Sequence, residues 1–214
     1  MQKTTLLLFG LLLMSISTYS QTKVGVLAGI NMSKLNGDIQ PDTKYKSKTG
    51  GNFGLFIDLK LAKNIYLSIQ PSYSQEGTKI THKVDGAYEP IDSIKVKLNY
   101  FSLPILLKVT STNEKFYAIG GIEISKLANS SMTPIGGEEE DIIVTIEPWN
   151  FSMHFGAGIR FPLGFTTLFV EARYTQGFMN ITEESVVNDL LPRVKSSSIK
   201  FLTGIEIPLG KNKN

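Results

Sequence analysis

From Phe151 to Thr175 the chain alternates residue by residue. Phe151, Met153, Phe155, Ala157, Ile159 and Phe161 are apolar, and Ser152, His154, Gly156, Gly158 and Arg160 lie between them. After Pro162-Leu163-Gly164 the alternation resumes, with Leu168, Val170, Ala172 and Tyr174 on one face and Phe169, Glu171, Arg173 and Thr175 on the other. Period-two alternation on both sides of a Pro/Gly turn predicts a β-hairpin with one apolar face. Each strand has the roughly 9–11 residues that a tilted strand needs to cross a bilayer. A two-residue turn at Leu163-Gly164 would set His154 opposite Arg173 and Gly156 opposite Glu171, leaving the glycines as room for long side chains.

The same pattern recurs along the chain. Strands are predicted over 23–33, 51–61, 65–73, 94–109, 115–127 and 197–209, which with the hairpin makes eight. In 94–109 the parity breaks. Ile94, Val96 and Leu98 share one parity, whereas Phe101, Leu103, Ile105, Leu107 and Val109 share the other. Either a β-bulge lies between Asn99 and Pro104, where proline cannot donate a ladder bond, or Ile94 to Leu98 belong to an extension beyond any lipid-facing band.

The connections alternate long and short: polar stretches at 34–50, 77–93, 128–148 and 177–196, and short links at 62–64, 110–114 and 162–164. This rhythm predicts an all-β fold, an eight-stranded antiparallel up-and-down transmembrane β-barrel. Its short turns and both termini would be periplasmic and its long loops external. The polar face carries Asp58, Lys60, Lys108, Glu123, Arg160, Glu171, Arg173, Lys200 and Glu206. Eight strands enclose a space that side chains fill. Four acids and five bases on that face therefore predict a structural, charge-paired plug in place of an open pore. Aromatics near strand ends, namely Tyr66, Tyr73, Tyr100, Trp149, Phe165 and Tyr174, suit the membrane interfaces. Alternation alone leaves a soluble lipocalin-like calyx open, with the apolar face turned inward around a lipophilic ligand.

Composition narrows the compartment. Lys3, the apolar run Leu6 to Met14 and the small, polar Ser15 to Ser20 read as a cleaved signal peptide over residues 1–20, with the barrel domain over 21–214. The run is too short for a membrane helix. A formal charge of +3 without a basic block argues against a nucleic-acid partner. There is no cysteine, and the two histidines, His82 and His154, are far apart, so neither a cofactor nor a metal site is expected. No nucleophile elbow, P-loop or dinucleotide fingerprint is present, and no catalytic residue is expected. The raw material for a lipid-modifying barrel enzyme is confined to His82, Asp85 and Asp92 in one polar stretch. The run Glu138 to Asp141 reads as a solvated charge cluster, with lipopolysaccharide-bound cations as its other reading.

Several stretches together resemble the outer-membrane β-barrel proteins of Bacteroidota grouped as the PorT family, which are similar in scale to small OmpX-like barrels. They are VGVLAGINMS (24–33), GGNFGLFIDLKL (50–61), IYLSIQPSYSQEGTK (65–79), NYFSLPILLKV (99–109), FYAIGGIEIS (116–125), FGAGIRF (155–161), LFVEARYTQGFMNI (168–181) and FLTGIEIPLG (201–210). The resemblance implies a non-enzymatic envelope protein. Its surroundings would be outer-membrane lipid and lipopolysaccharide, its assembly would use the barrel-assembly machinery, and a secretion-system or other envelope protein would be its partner. One departure is the end of the chain. Many such barrels finish on an aromatic residue, whereas this one finishes Gly210-Lys211-Asn212-Lys213-Asn214.

Overall fold

The computed structural model describes residues 22–37, 43–82, 92–133, 140–141, 147–180 and 194–209. Among them the strands are β1 (Lys23–Gly37), β2 (Thr43–Ala62), β3 (Ile65–Ile69), β4 (Ser72–His82), β5 (Asp92–Thr110), β6 (Phe116–Thr133), β7 (Glu140–Asp141), β8 (Trp149–Leu163), β9 (Thr166–Gly177) and β10 (Val194–Pro208). β3 and β4 are one stave interrupted at Gln70-Pro71, and β7 is a two-residue addition to the edge of β6. The remaining pairings are antiparallel, each stave with its neighbours in sequence, and β1 pairs with β10 from Lys23↔Pro208 to Gly37↔Val194. That last ladder closes the ring. The fold is an eight-stave up-and-down barrel. The proposed signal peptide, Asp85, Glu138, Glu139 and the five C-terminal residues lie outside the described residues.

The apolar face is outward. Phe53, Leu55, Phe101, Val170 and Phe201 are exposed, at 58, 60, 64, 54 and 47%. Asp58, Glu123, Glu171, Arg173 and Lys200 are buried inside the ring. An apolar calyx needs the opposite arrangement, so the lipocalin-like alternative does not hold. A ring of exposed aliphatic and aromatic side chains around a polar interior needs lipid as its solvent.

Three expectations are corrected. The first is the bulge in 94–109. β5 pairs with β4 without a shift from Ser72↔Ser102 to His82↔Asp92, so β5 keeps one parity throughout. Ile94, Val96 and Leu98 do not change face; they point inward with Tyr100, Ser102 and Leu106. The bulge sits on the partner strand. Asn99 pairs with Asn129 and Tyr100 with Leu127, leaving Ala128 as the extra residue of β6. The parity break therefore records a change in what the interior holds, from polar to apolar.

The second is the hairpin register. Leu163 pairs with Thr166, so the turn is Gly164-Phe165, and Gly164 adopts φ +64°, which glycine accommodates without strain. The pairing moves by two residues, to His154↔Thr175, Gly156↔Arg173 and Gly158↔Glu171. The third concerns strand length. Much of the polar sequence assigned to loops is strand, because β1, β2, β4, β5 and β6 run on past the apolar band. Ladder hydrogen bonds join backbones whatever the side chains, so pairing persists where alternation has ended.

Val170 lies five residues above the Gly164-Phe165 turn and faces lipid, near mid-span. Val170→Arg is expected to cost about 2–4 kcal/mol of barrel stability, read by denaturant titration in lipid vesicles. A Glu substitution at the exposed Lys63, in the short link outside the lipid, is expected to change little.

Candidate functional site

The interior is packed in alternating polar and apolar layers. At the short-turn end, Glu114 reaches up from the link between β5 and β6. Its carboxylate accepts hydrogen bonds from Lys23 Nζ at 2.9 Å, Arg160 Nη1 at 2.8 Å and Tyr66 Oη at 3.3 Å. Arg160 also pairs with Glu206, and Lys23 lies 3.5 Å from the same carboxylate. Glu114 holds φ +53°, an uncommon backbone conformation for a side-chain-bearing residue. That geometry turns its side chain under the barrel, and the four charges form a floor. Burial pushes the Glu114 carboxyl up, but its bonds from Arg160 and Lys23 outweigh this and hold it down at about 2.

Above the floor, Lys108 pairs with Asp58, which also accepts from Ser68 Oγ at 2.5 Å. The Lys108 ammonium lies 5.2 Å from the Phe56 ring centre and 5.1 Å from that of Tyr117, between two aromatic faces. Tyr117 Oη donates to Glu171 at 2.9 Å. Arg173 grips Glu171 through Nε at 2.8 Å and through Nη2, and Nη2 also donates to Gln70 at 2.9 Å. Leu27, Phe56, Leu106, Tyr117, Ile119 and Phe169 make an apolar layer around these pairs. The Tyr117 ring lies over Gly158, its cross-strand partner, where a Cβ would come within 2.3 Å of Cζ. Any side chain there would evict the ring.

A second polar layer holds Glu123, His154, Lys200 and Glu76. Lys200 Nζ is 3.6 Å from both carboxylates, and His154 Nε2 is 3.2 Å from Glu123 Oε2. Ser125 and Ser152 donate to the other Glu123 oxygen at 3.0 and 3.3 Å. Toward the long-loop end, Leu35, Val96, Leu98, Tyr100 and Leu127 close the column with an apolar cluster. Charges buried this deeply persist only with partners, since a lone ion inside costs several kcal/mol.

Of the nine charges assigned to the interior from sequence, Asp58, Lys108, Glu123, Arg160, Glu171, Arg173, Lys200 and Glu206 are buried there. Lys60 stands at the rim, half-buried, with its ammonium 6.0 Å from the Tyr66 ring centre. Sequence reasoning missed Lys23, Glu76 and Glu114 and did not place His154 beside Glu123. Glu76 continues the parity of Ser68, Gln70 and Ser74 and could have been found by carrying the alternation further. Glu114 sits in a turn, where no alternation exists to read.

Two aromatic assignments are corrected. Tyr66 and Tyr100 are each 1% exposed and face the interior, not a membrane interface. Both carry the inward parity of their strands, which outranks nearness to a strand end. Trp149, Phe165 and Tyr174 are exposed. Tyr73 is half-buried in an outward row in which Phe53 pairs with Tyr73 and Tyr73 with Phe101, at ring distances of 5.2 and 5.5 Å. Lys126, opposite Phe101, continues the row to Trp149, with its ammonium 5.7 Å from the indole ring.

Among the described side chains, the nearest approach to a catalytic arrangement is Thr175 Oγ1, 3.4 Å from His154 Nδ1, with Glu123 on the other ring nitrogen. All three are buried. His82 and Asp92 are cross-strand partners at the far end of β4 and β5, and Asp85 lies outside the described residues. Among the described residues no group of three or more acidic or histidine side chains could hold a metal ion.

An aromatic-edged apolar exterior, a closed antiparallel ring and a charge-filled interior define the class as an outer-membrane-type β-barrel. The family model for the outer membrane protein beta-barrel domain matches residues 17–183, and the chain belongs to that family. Its place is the outer membrane. Among solved structures the chain is similar to the attachment invasion locus protein Ail of Yersinia pestis, at 17% identity and TM-score 0.43, covering 87% of this chain and 99% of that one. It is also similar to OprG of Pseudomonas aeruginosa, at 13% identity and TM-score 0.48, covering 90% and 97%. Neisserial surface protein A is similar at 13% identity and TM-score 0.44, covering 86% and 96%. No curated protein matches the sequence.

Two outcomes are expected of the interior. Asp58→Ala strands the Lys108 ammonium and should cost about 3–5 kcal/mol in denaturant titrations, with much of the loss recovered in Asp58→Leu/Lys108→Met. The Glu114 carboxyl is lowered in the folded state, so its contribution is complete above its unfolded value near 4.5 and is lost as pH falls through about 2. Hydrogen exchange in the 110–116 link, taken relative to the intrinsic rate at each pH, should therefore accelerate between pH 4.5 and 2 in the wild type. In Glu114→Gln it should be fast and free of that component throughout.

Proposed function

We propose that this chain is a non-enzymatic outer-membrane barrel with a plugged lumen, acting as a structural and interaction protein of the cell envelope. The observation that supports this reading best is the interior itself. Glu114, Arg160, Lys23 and Glu206 close one end, Leu35, Val96, Leu98, Tyr100 and Leu127 fill the other, and paired charges occupy the space between. A column filled in this way leaves binding to the surfaces outside it. The long connections face outward from the cell, both termini and the short turns are periplasmic, and residues 1–20 are a signal peptide removed on export. The paired interior charges serve to hold the barrel's shape, and the exposed aromatics to seat it at the interfaces.

The finer assignment follows the sequence resemblance. The chain is a PorT-type barrel of Bacteroidota, folded by the barrel-assembly machinery and engaged with an envelope or secretion-system protein. His154 is supported as a structural partner of Glu123 and not as a base, because an imidazole with no exposed surface has no substrate to reach.

Purified wild-type protein in planar bilayers is expected to show no unitary conductance. Removing the floor with Glu114→Ala/Arg160→Ala should leave the membrane sealed, because the upper apolar cluster remains. Steady ion steps from the wild type would overturn the plugged reading. Crosslinking in intact envelopes, followed by identification of the captured protein, tests the partner, and recovery of the barrel without any protein partner would count against a secretion role.

A further inference from the structure

The outer surface of β2, β4 and β5 carries two features that the plugged lumen does not use. The first is an apolar recess of about 530 Å³ on the lipid face, lined chiefly by Val26, Phe53, Leu55, Pro71, Tyr73 and Phe101. It opens where the third stave breaks. Pro71 lacks an N–H, and the ladder there reduces to Leu55 N–H donating to Pro71 O at 3.0 Å and Gln70 N–H to Pro104 O at 3.0 Å. The second lies above it on the same three staves. Lys46 pairs directly with Lys79, and Lys79 with Lys95. Like charges set directly opposite one another destabilise a sheet, and three in one row form a place for an anion.

The order of the rows identifies the occupant. Upward along the outer face of these staves come the Phe53-Tyr73-Phe101 row, the amides Gln75 and Asn99, the Gly77-Lys97 row and then the row of three lysines. The aromatic row marks the edge of the hydrocarbon. Lys95 is six residues beyond Phe101, about 20 Å of strand and about 14 Å of height at the usual tilt. A headgroup layer adds only about 5–8 Å above the hydrocarbon. A glycerophospholipid phosphate therefore stops short of the row, whereas a phosphorylated saccharide carried on acyl chains spans both features. Lys97, whose row also contains Ser131 and Asp141, is left out of the contact set.

We propose that this face binds one molecule of outer-leaflet lipopolysaccharide, with an acyl chain in the recess and saccharide phosphates on Lys46, Lys79 and Lys95. The site rests on the proposed orientation, with the long connections outside. It gives the barrel a lipid-specific seat on one side and leaves the lysines without a competing acidic partner among the described side chains.

The test uses full-length protein folded in nanodiscs and titrated with lipopolysaccharide, dephosphorylated lipopolysaccharide or phosphatidylglycerol. The wild type should bind the phosphorylated form most tightly. Lys46→Gln/Lys79→Gln/Lys95→Gln should bind it about a hundredfold more weakly, the effect of three lysines at an anionic surface. The corresponding triple arginine variant should bind like the wild type, and the heat-dependent gel shift of a folded barrel checks that each variant has folded. Val26→Phe, which fills the recess, should weaken lipopolysaccharide binding while leaving capture of the deacylated, phosphorylated saccharide unchanged. Equal binding by the wild type and the glutamine variant overturns the site, and so does equal preference for phosphatidylglycerol. An epitope placed in 83–91 and probed on intact cells tests orientation separately. Its absence from the cell surface would remove the orientation and not the lipid binding measured in nanodiscs.

Discussion

Closure of the sheet is the constraint on which everything else depends. A strand in lipid has no water to satisfy its N–H and C=O groups, so an open edge costs several kcal/mol for each unpaired group. The ladder from Lys23↔Pro208 to Gly37↔Val194 removes the last edge. It joins the first strand to the last, so no part of the chain completes the barrel without both ends. Once the ring is closed with eight staves, its interior is too narrow for bulk water and too large to leave empty.

That narrow interior explains its contents. Long charged side chains reach across the ring, and each is stable only where an opposite charge or a donor meets it. Glycines stand opposite the largest groups: Gly156 opposite Arg173, Gly158 opposite Tyr117, and Gly25 opposite Phe56. Sequence positions that look like flexible punctuation are in fact the space into which a neighbour's side chain folds. The polar layers and the two apolar layers then stack as alternating discs. The upper disc around Leu98 and Tyr100 is a small soluble-type core in the part of the barrel where strands outrun the apolar band.

The same extension separates the two faces of the protein's chemistry. Below the Phe53-Tyr73-Phe101 row the exterior is apolar, and the interior holds paired charges around one apolar layer. Above it the Leu98-Tyr100 cluster closes the interior and the exterior carries lysines. The change of exterior follows from solvent: lipid surrounds the lower staves and water the upper ones, and the hydrophobic effect keeps apolar groups away from water in each case. The parity break in β5 is the sequence trace of this change, with Lys95 and Lys97 outward and Val96 and Leu98 inward.

Alternation with period two determined the strand count, the antiparallel meander and the identity of the two faces, because side chains on a pleated strand have no other choice of direction. Eight of the nine charges read as inward from the sequence are buried in the ring, for the same reason. Three things were decided only by the tertiary structure. The hairpin register depended on which two residues made the turn, and a shift of two preserves every face while changing every partner. The bulge lay on β6 at Ala128, although the irregular pattern was in β5, because pairing is a property of two strands and not of one. Glu114 joined the floor from a turn, where no alternation exists to read. Closure alone brings residues so distant in sequence to opposite sides of one narrow space.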